Sequence, residues 1–333
     1  MQTVQGNMPL ISFIVPCYNI PTAMLRECIQ SILALDMRDD EREIIIVDDG
    51  SDSSPINEIQ EIIERCLYIR QRNRGPSAAR NAGLKIASGE YVQFVDSDDT
   101  LIKERYEACI DIIDSRAFDV VMMRLTHEET EGKRHADRRK RLAKSNAYDK
   151  DMAVTGSMYM KNNNLRGGAC GYAFRKDILG GLMYDESLVT DEDEDFTPRL
   201  LLRAEHVIDT DIAAYYYRQR DTSLTGTKDE RHVSQRLANK EQVIYKLKEL
   251  TYTLPDVDKP AISRRVAQLT MDYLYKIITL THSSEKLEDA VKRLSGKGLF
   301  PLPAKNYTKK YTAFRMAVSS RLTRRLLVKL CSI

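Results

Sequence analysis

Three carboxylates stand within four residues at Asp96-Ser97-Asp98-Asp99, directly after the apolar run Tyr91-Val92-Gln93-Phe94-Val95. Aromatic and β-branched residues following Gly89 predict a short buried strand that delivers these acids at its end. Charges so close repel one another and resist desolvation unless a cation sits among them, and hard divalent ions take oxygen ligands. Mg²⁺ or Mn²⁺ suits such a place. The competing reading is that Ser97, Asp98, Asp99 and Thr100 cap a helix beginning near Leu101. A second acidic run, Asp191-Glu192-Asp193-Glu194-Asp195, precedes Phe196 and the helically spaced Leu200, Leu201 and Ala204. Five acids heading a helix suit the positive end of its dipole. Their crowding also raises the proton affinity of at least one, as a general base requires. Arg74 and Arg80 place cations near another predicted helix start, a position suited to phosphate; alternatively Arg80 pairs with a nearby acid.

The elements that must position these groups alternate. Residues 10–15 form an apolar run closed by Pro16, consistent with a strand that stops where the N–H donor is missing. Cys17-Tyr18-Asn19 follows, and Met24, Leu25, Cys28, Ile32 and Leu35 have helical spacing. The unit then repeats: strand 43–47, the polar turn Asp48-Asp49-Gly50-Ser51-Asp52, a helix over 56–66, and a third strand at 67–70. Gly75 and Pro76 turn the chain into a helix through Ala87, with Ser77 available as cap. A helix around 106–113 and a strand at 118–123 continue the series. Such alternation implies a parallel sheet with right-handed crossovers, which binds ligands at the carboxyl ends of its strands. Residues 162–172 are glycine-rich, either for close backbone approach to a ligand or as a plain loop. Residues 213–218 read as a strand, and from about 231 the pattern is helical, with a long stretch over 261–280 after Pro260. The expected architecture is therefore an α/β domain over 1–228 and a helical region over 229–333.

Composition narrows the function classes. A net charge of +2 over 333 residues argues against a nucleic-acid binder with a uniformly basic face. The six cysteines include no Cys-x-x-Cys pair, so neither a zinc site nor a disulfide framework is signalled. No basic, apolar leader and no apolar run of about 18 residues is present, which predicts a cytoplasmic protein. Gly-x-Gly-x-x-Gly is absent after the first strand, which disfavours a dehydrogenase. A nucleotidyltransferase would bring a glycine-rich basic loop there instead of Pro16-Cys17-Tyr18-Asn19. Residues 133–144 hold seven Lys or Arg against Asp137 alone, as a solvated loop or as a contact for anionic lipid or acceptor.

Five blocks, taken together and in order, resemble the family 2 glycosyltransferases of the GT-A fold: residues 12–19, 47–51, 73–83, 89–99, and Glu192-Asp193 with Phe196 beyond. The resemblance covers about 10–225 and implies a mostly parallel, Rossmann-like sheet, with the nucleotide bound by 10–125 and the acceptor and catalytic part in 150–225. Pro16 and Tyr18 would lie at the donor nucleotide, Tyr18 against its base. Asp49 would accept from a base imide N–H, favouring uracil or thymine, with Asp48 either a second partner or structural. Arg80 would face the donor. Asp96 and Asp98 would form the Asp-x-Asp pair, with Asp98 the direct Mn²⁺ or Mg²⁺ ligand, and Asp99 would line the sugar pocket. Asp193 would be the catalytic base of a single inverting displacement, with Asp191, Glu192 and Asp195 close enough for an error of register. The resemblance thus implies transfer of a sugar from a nucleotide-sugar donor, UDP-linked by preference, to a glycan or lipid-linked acceptor in cell-surface polysaccharide synthesis. Processive members carry Gln-x-x-Arg-Trp, and this chain has no tryptophan, so one sugar per encounter is expected. The acceptor pocket falls within about 155–180. The rival function is a binding or scaffold protein that keeps the donor pocket without turnover.

Residues 305–333 contain eight Lys or Arg and no acid. Read as one helix over 312–331, they place Arg315, Arg321, Arg324, Arg325 and Lys329 on one half and Met316, Leu326, Leu327, Leu330 and Cys331 on the other. Such a helix either rests on an anionic inner membrane as a peripheral anchor or packs its apolar side on the protein.

Overall fold

The structure, a computed structural model, describes residues 8–127, 153–219 and 229–331. The basic run 133–144 lies outside the described residues. Four strands carry the expected alternation: β1 (Ile11–Cys17), β2 (Arg42–Asp48), β3 (Leu67–Arg70) and β4 (Tyr91–Phe94). They are connected by α1 (Thr22–Leu33), a 3₁₀ turn at Pro55–Glu58 leading into α2 (Gln60–Ile63), and α3 (Pro76–Ile86). Then come β5 (Thr100–Leu101), α4 (Lys103–Asp114), β6 (Val120–Met122) and β7 (Leu125–Thr126). Past α5 (Gly156–Asn162) lie β8 (Tyr172–Arg175), α6 (Glu192–Leu201), β9 (Val207–Asp209) and β10 (Tyr215–Tyr216).

The main sheet runs β3-β2-β1-β4-β8-β6-β9. All its pairings are parallel except the two made by β8, which runs antiparallel between β4 and β6. A small second sheet orders β5-β10-β7. The chain fills one side of β1 with β2 and β3, then crosses to place β4 on the other. That reversal makes the crevice beyond the carboxyl ends of β1 and β4 the natural ligand position of an open α/β sheet. Phe13, Ile14, Val15, Ile45, Ile46, Phe94 and Val95 are sealed from water, which is why these strands read as continuous apolar runs rather than as alternation.

β1 runs two residues past its expected stop, through Pro16, which pairs with Val47. The reason lies in the direction of the missing donor. Ile14 C=O accepts from Val95 N–H on the β4 side, and Cys17 C=O accepts from Asp49 N–H on the β2 side. By alternation Pro16 faces β4, whose ladder ends there, so the ring interrupts nothing on the β2 side. α3 sits close on β1 because Gly83 has no side chain: a Cβ there would meet Ile14 Cγ2 at 2.3 Å. Gly83→Ala is expected to overpack this contact and cost about 1–3 kcal/mol in a urea melt, without changing the m-value.

By contact the chain divides into two compact units. One comprises Met1–Gly156, Arg166–Val189 and Arg199–Arg220; the other comprises Ser157–Leu165, Thr190–Pro198 and Asp221–Ile333. The division is therefore not a single cut near 228, because two short segments, one bearing the 191–195 acids, group with the C-terminal helices. Those helices are α7 (Glu230–Thr253), α8 (Lys259–Thr281), α9 (Ser284–Gly296), α10 (Lys309–Ala317) and α11 (Arg321–Cys331). The tail is thus two helices, not one over 312–331. Val318 ends α10, and the Ser320 hydroxyl accepts from Thr323 N–H to start α11. The apolar side also differs from expectation. Val328 turns inward, and Arg324 follows it, buried in a two-pronged pair with Glu288 at 2.8 Å and donating to Val318 C=O. Met316, Leu322, Leu326 and Leu330 are left exposed beside Arg321, Arg325 and Lys329. Among the described residues no helix is long and apolar enough to cross a membrane.

Candidate functional site

The ends of β1 and β2 are fastened together before they present anything to a ligand. Asn19, held at φ 47°, donates its N–H to Ser51 Oγ at 2.9 Å, and its side-chain amide exchanges two hydrogen bonds with Asp52. Gly50 turns at φ 79°, and a Cβ there would strike Asn73 N at 2.7 Å, so only glycine fits this approach. The result is a rigid lip on which Tyr18 stands 50 % exposed, unusual for an aromatic ring beside a core strand.

Asp48 and Asp49 both face inward. Asp48 accepts from Ser51 N–H and Tyr68 O–H at 2.8 Å each, with Arg70 at 3.5 Å. Burial pushes its pKa up, but these partners outweigh it and hold the carboxyl below the usual range. Asp49 receives Gln71 Nε2 at 2.7 Å and the backbone N–H groups of Arg74 and Gly75. It therefore fixes the turn into α3, and a ligand N–H would share its oxygens with these donors. In that turn Gly75 is the N-cap, at φ 87°, and Pro76 opens the helix. Ser77 does not cap: its hydroxyl is buried and donates to Leu188 C=O.

At the end of β4 the capping reading fails. Helix α4 starts only at Lys103, its N-cap is Ile102 with no side-chain bond, and Thr100–Leu101 is a strand. Asp96 faces Arg80, with Arg80 Nη2 3.1 Å from its Oδ1. The Arg80 guanidinium also stacks against Phe94 and Tyr184. Arg80 thus makes the ion pair that the sequence left open as an alternative. Asp99 departs from the expectation that it lines a sugar pocket, because it is sealed from solvent with both oxygens taken. Tyr215 O–H donates to Oδ2 and Arg218 N–H to Oδ1, each at 2.8 Å. Burial first, then the charges of Asp96 and Asp98, raise its pKa to about 8 against the pull of Tyr215 and Arg218. Tyr215 also accepts from Asp96 N–H at 2.9 Å, so one phenol ties both acids together. The sequence reading saw residues 213–218 only as a strand. The available signal was a buried tyrosine, whose hydroxyl must find a partner.

Among the described residues no group of three or more His, Cys, Asp or Glu side chains is arranged to hold a metal by itself. The strand end supplies hard oxygen donors from Asp96 and Asp98. That set fits Mg²⁺ or Mn²⁺, which are held by one or two carboxylates while waters and phosphate oxygens complete the shell.

The second acidic run belongs to the other unit. Asp191 sits in the left-handed region at φ 60°, at a cost of about 1 kcal/mol, and its C=O accepts Glu194 N–H as α6 begins. Lys240 Nζ lies 2.7 Å from Asp191, Arg265 pairs with Glu194, and Lys246 Nζ lies 3.3 Å from Asp195. Three of the five acids are thus bound to cations from α7 and α8. Asp193 occupies the first turn of α6 between them.

The mostly parallel α/β sheet gathers its polar residues at the carboxyl ends of its strands, beside the reversal of strand order, where open sheets of this class place their ligands. The chain belongs to glycosyl transferase family 2, whose family model matches residues 12–179, half of its length. A relative of similar kind is the uncharacterized glycosyltransferase EpsJ of Bacillus subtilis (strain 168), 28 % identical over 223 residues. That match spans 66 % of this chain and 63 % of EpsJ. Among solved structures, S. aureus TarS 1–349 in complex with UDP-GlcNAc superposes with a TM-score of 0.66 at 19 % identity, covering 96 % of this chain and 90 % of that one. The mannosyltransferase PcManGT of Pyrobaculum calidifontis, in complex with GDP-Man and Mn²⁺, gives 0.56 at 15 % identity over 97 % and 86 %. These likenesses show a shared GT-A fold.

Proposed function

We propose that the chain is an inverting, metal-dependent glycosyltransferase moving one sugar from a UDP-linked donor to a glycan or lipid-linked glycan of the cell surface. The observation that carries this reading is the crowding of Asp96, Asp98 and Asp99 at the end of β4, where the following helix takes no side-chain cap from them. A divalent cation there, when bound, offsets the negative charge that develops on a departing nucleoside diphosphate. Tyr18 offers its exposed face to the base and Asp49 an acceptor to the base N–H, with Pro16 shaping the strand end beneath. Arg80 and Asp99 act on the donor side by fixing Asp96. Asp193 takes the proton from the acceptor hydroxyl as that oxygen bonds to the anomeric carbon and the bond to the diphosphate breaks. UDP-GlcNAc and GDP-Man complexes of the structural neighbours support a nucleotide-sugar donor, and the Mn²⁺ in one of them supports the cation.

The test is a thermal-shift panel of UDP-GlcNAc, UDP-Glc, UDP-Gal and GDP-Man, each with and without Mn²⁺, followed by UDP release. A ligand at 100 times its Kd stabilises by about 2.7 kcal/mol, so binding is readily seen. A UDP-sugar should give a Mn²⁺-linked rise in Tm and turn over. Binding without turnover in any acceptor fraction would select the scaffold reading, and no metal-linked response at all would refute the proposal.

The reading extends to location. Leu322, Leu326 and Leu330 recur along α11 beside Arg321, Arg325 and Lys329, a pairing suited to an anionic bilayer, where each surface base adds about 1 kcal/mol. The triple variant Leu322→Ser, Leu326→Ser, Leu330→Ser is expected to lose at least about tenfold in affinity for phosphatidylglycerol vesicles. Equal sedimentation of variant and wild type would remove the membrane from this picture.

A further inference from the structure

We infer that Lys240, with its neighbour Asn239, is a positioning residue for Asp193, holding the first turn of α6 from the side away from the proposed base. The inference rests on the reading of Asp193 as base. Glu194 and Asp195 project from one face of the first turn of α6, and Asp191, at φ 60°, stands just before that turn. At 3.6 residues per turn, Asp193 lies roughly 150° around from the middle of that face. The gripped acids therefore anchor the turn, and the turn carries Asp193.

The grip centres on Lys240, only 2 % exposed, whose Nζ lies 2.7 Å from Asp191 and 3.2 Å from Asp272, with Lys276 3.6 Å beyond on the same carboxylate. Burial works to discharge this ammonium, but Asp191 and Asp272 outweigh it, and its pKa is raised. The contact is thus a charged one in a dry setting, where geometry is tightly held. Asn239 adds a second hold one residue earlier, its amide 3.3 Å from both the carbonyl and the hydroxyl of Thr190. Together they pin the residue that must sit at φ 60° for α6 to start where it does. Arg265 and Lys246 hold Glu194 and Asp195 through their side chains, as Lys240 holds Asp191, whereas Asn239 also reaches the backbone carbonyl of Thr190. A base must reach within about 3 Å of the hydroxyl it deprotonates, and a 1 Å misplacement costs about 10²-fold.

The test uses full-length Lys240→Met, Lys240→Arg, Asn239→Ala and Asp193→Asn, read by Mn²⁺-dependent UDP release from UDP-GlcNAc, or from whichever UDP-sugar the panel selects. The concentration of folded enzyme is set by calorimetric UDP-binding stoichiometry. Lys240→Met is expected to lower kcat about 30-fold with donor KM within about twofold of wild type. Lys240→Arg should restore kcat to within about fivefold, and Asn239→Ala should cost about three- to tenfold in kcat alone. Leu287→Ala, a core change in α9, should lower Tm without this kcat loss. Should Lys240→Met fail to fold, Asn239→Ala decides. A kcat near wild type in Lys240→Met and Asn239→Ala, with Asp193→Asn inactive, overturns the positioning role alone. An active Asp193→Asn overturns the base assignment itself.

Discussion

Asp193→Asn should slow sugar transfer by about 10²–10⁴-fold, the range that a positioned general base supplies. The substitution keeps the size of the side chain and removes its charge and its ability to accept a proton, so calorimetric UDP affinity should stay within about twofold while kcat falls. The neighbouring acids provide the contrast. Glu194→Gln and Asp195→Asn each remove a charged partner from a cation on α7 or α8, so they should act first on stability. Asp191→Asn leaves Lys240 its second carboxylate, Asp272 at 3.2 Å, so its stability loss should stay below the roughly 3–5 kcal/mol of a fully broken buried pair. If Asp193→Asn transfers normally while Glu192→Gln is dead, the base has been placed one residue too far along the chain.

Asp98→Ala should abolish the metal-linked part of donor binding and lower turnover by about 10³-fold, since preorganised charge at a leaving group commonly contributes 10²–10³ or more. Read by thermal shift, the variant's response to UDP-sugar should be the same with and without Mn²⁺. Asp99→Asn should behave differently. Its carboxylate is enclosed and bound by Tyr215 and Arg218, so an amide in its place disturbs the phenol that ties Asp96, and the first effect is on Tm. A metal response that survives Asp98→Ala but not Asp96→Ala would transfer the ligand role to Asp96.

The strand-helix alternation was legible because fully buried strands leave continuous apolar runs, and 43–47 and 91–95 could hardly be anything else. The acids at the strand ends were legible for the same reason: polarity changes abruptly where burial stops. What the sequence hid was pairing between distant segments. Asp99 reads as one more exposed acid until Tyr215, 116 residues away, is seen to cover it. Lys240 reads as one of many bases on an amphipathic helix, although the fold places it among the least exposed charged residues. Pro16 misled because the sequence says that a donor is missing but not toward which neighbour. The tail misled because helical spacing alone could not reveal that Ser320 restarts the helix and that Arg324 turns inward to Glu288.

The assignment of Thr190–Pro198 to the same compact body as the C-terminal helices bears on how such enzymes can be recombined. A chimera spliced near 228, the boundary that chain order suggests, would graft one parent's 191–195 acids onto another parent's helices. Swaps that keep this compact unit whole would need to transplant 157–165, 190–198 and everything from 221 onward as one piece.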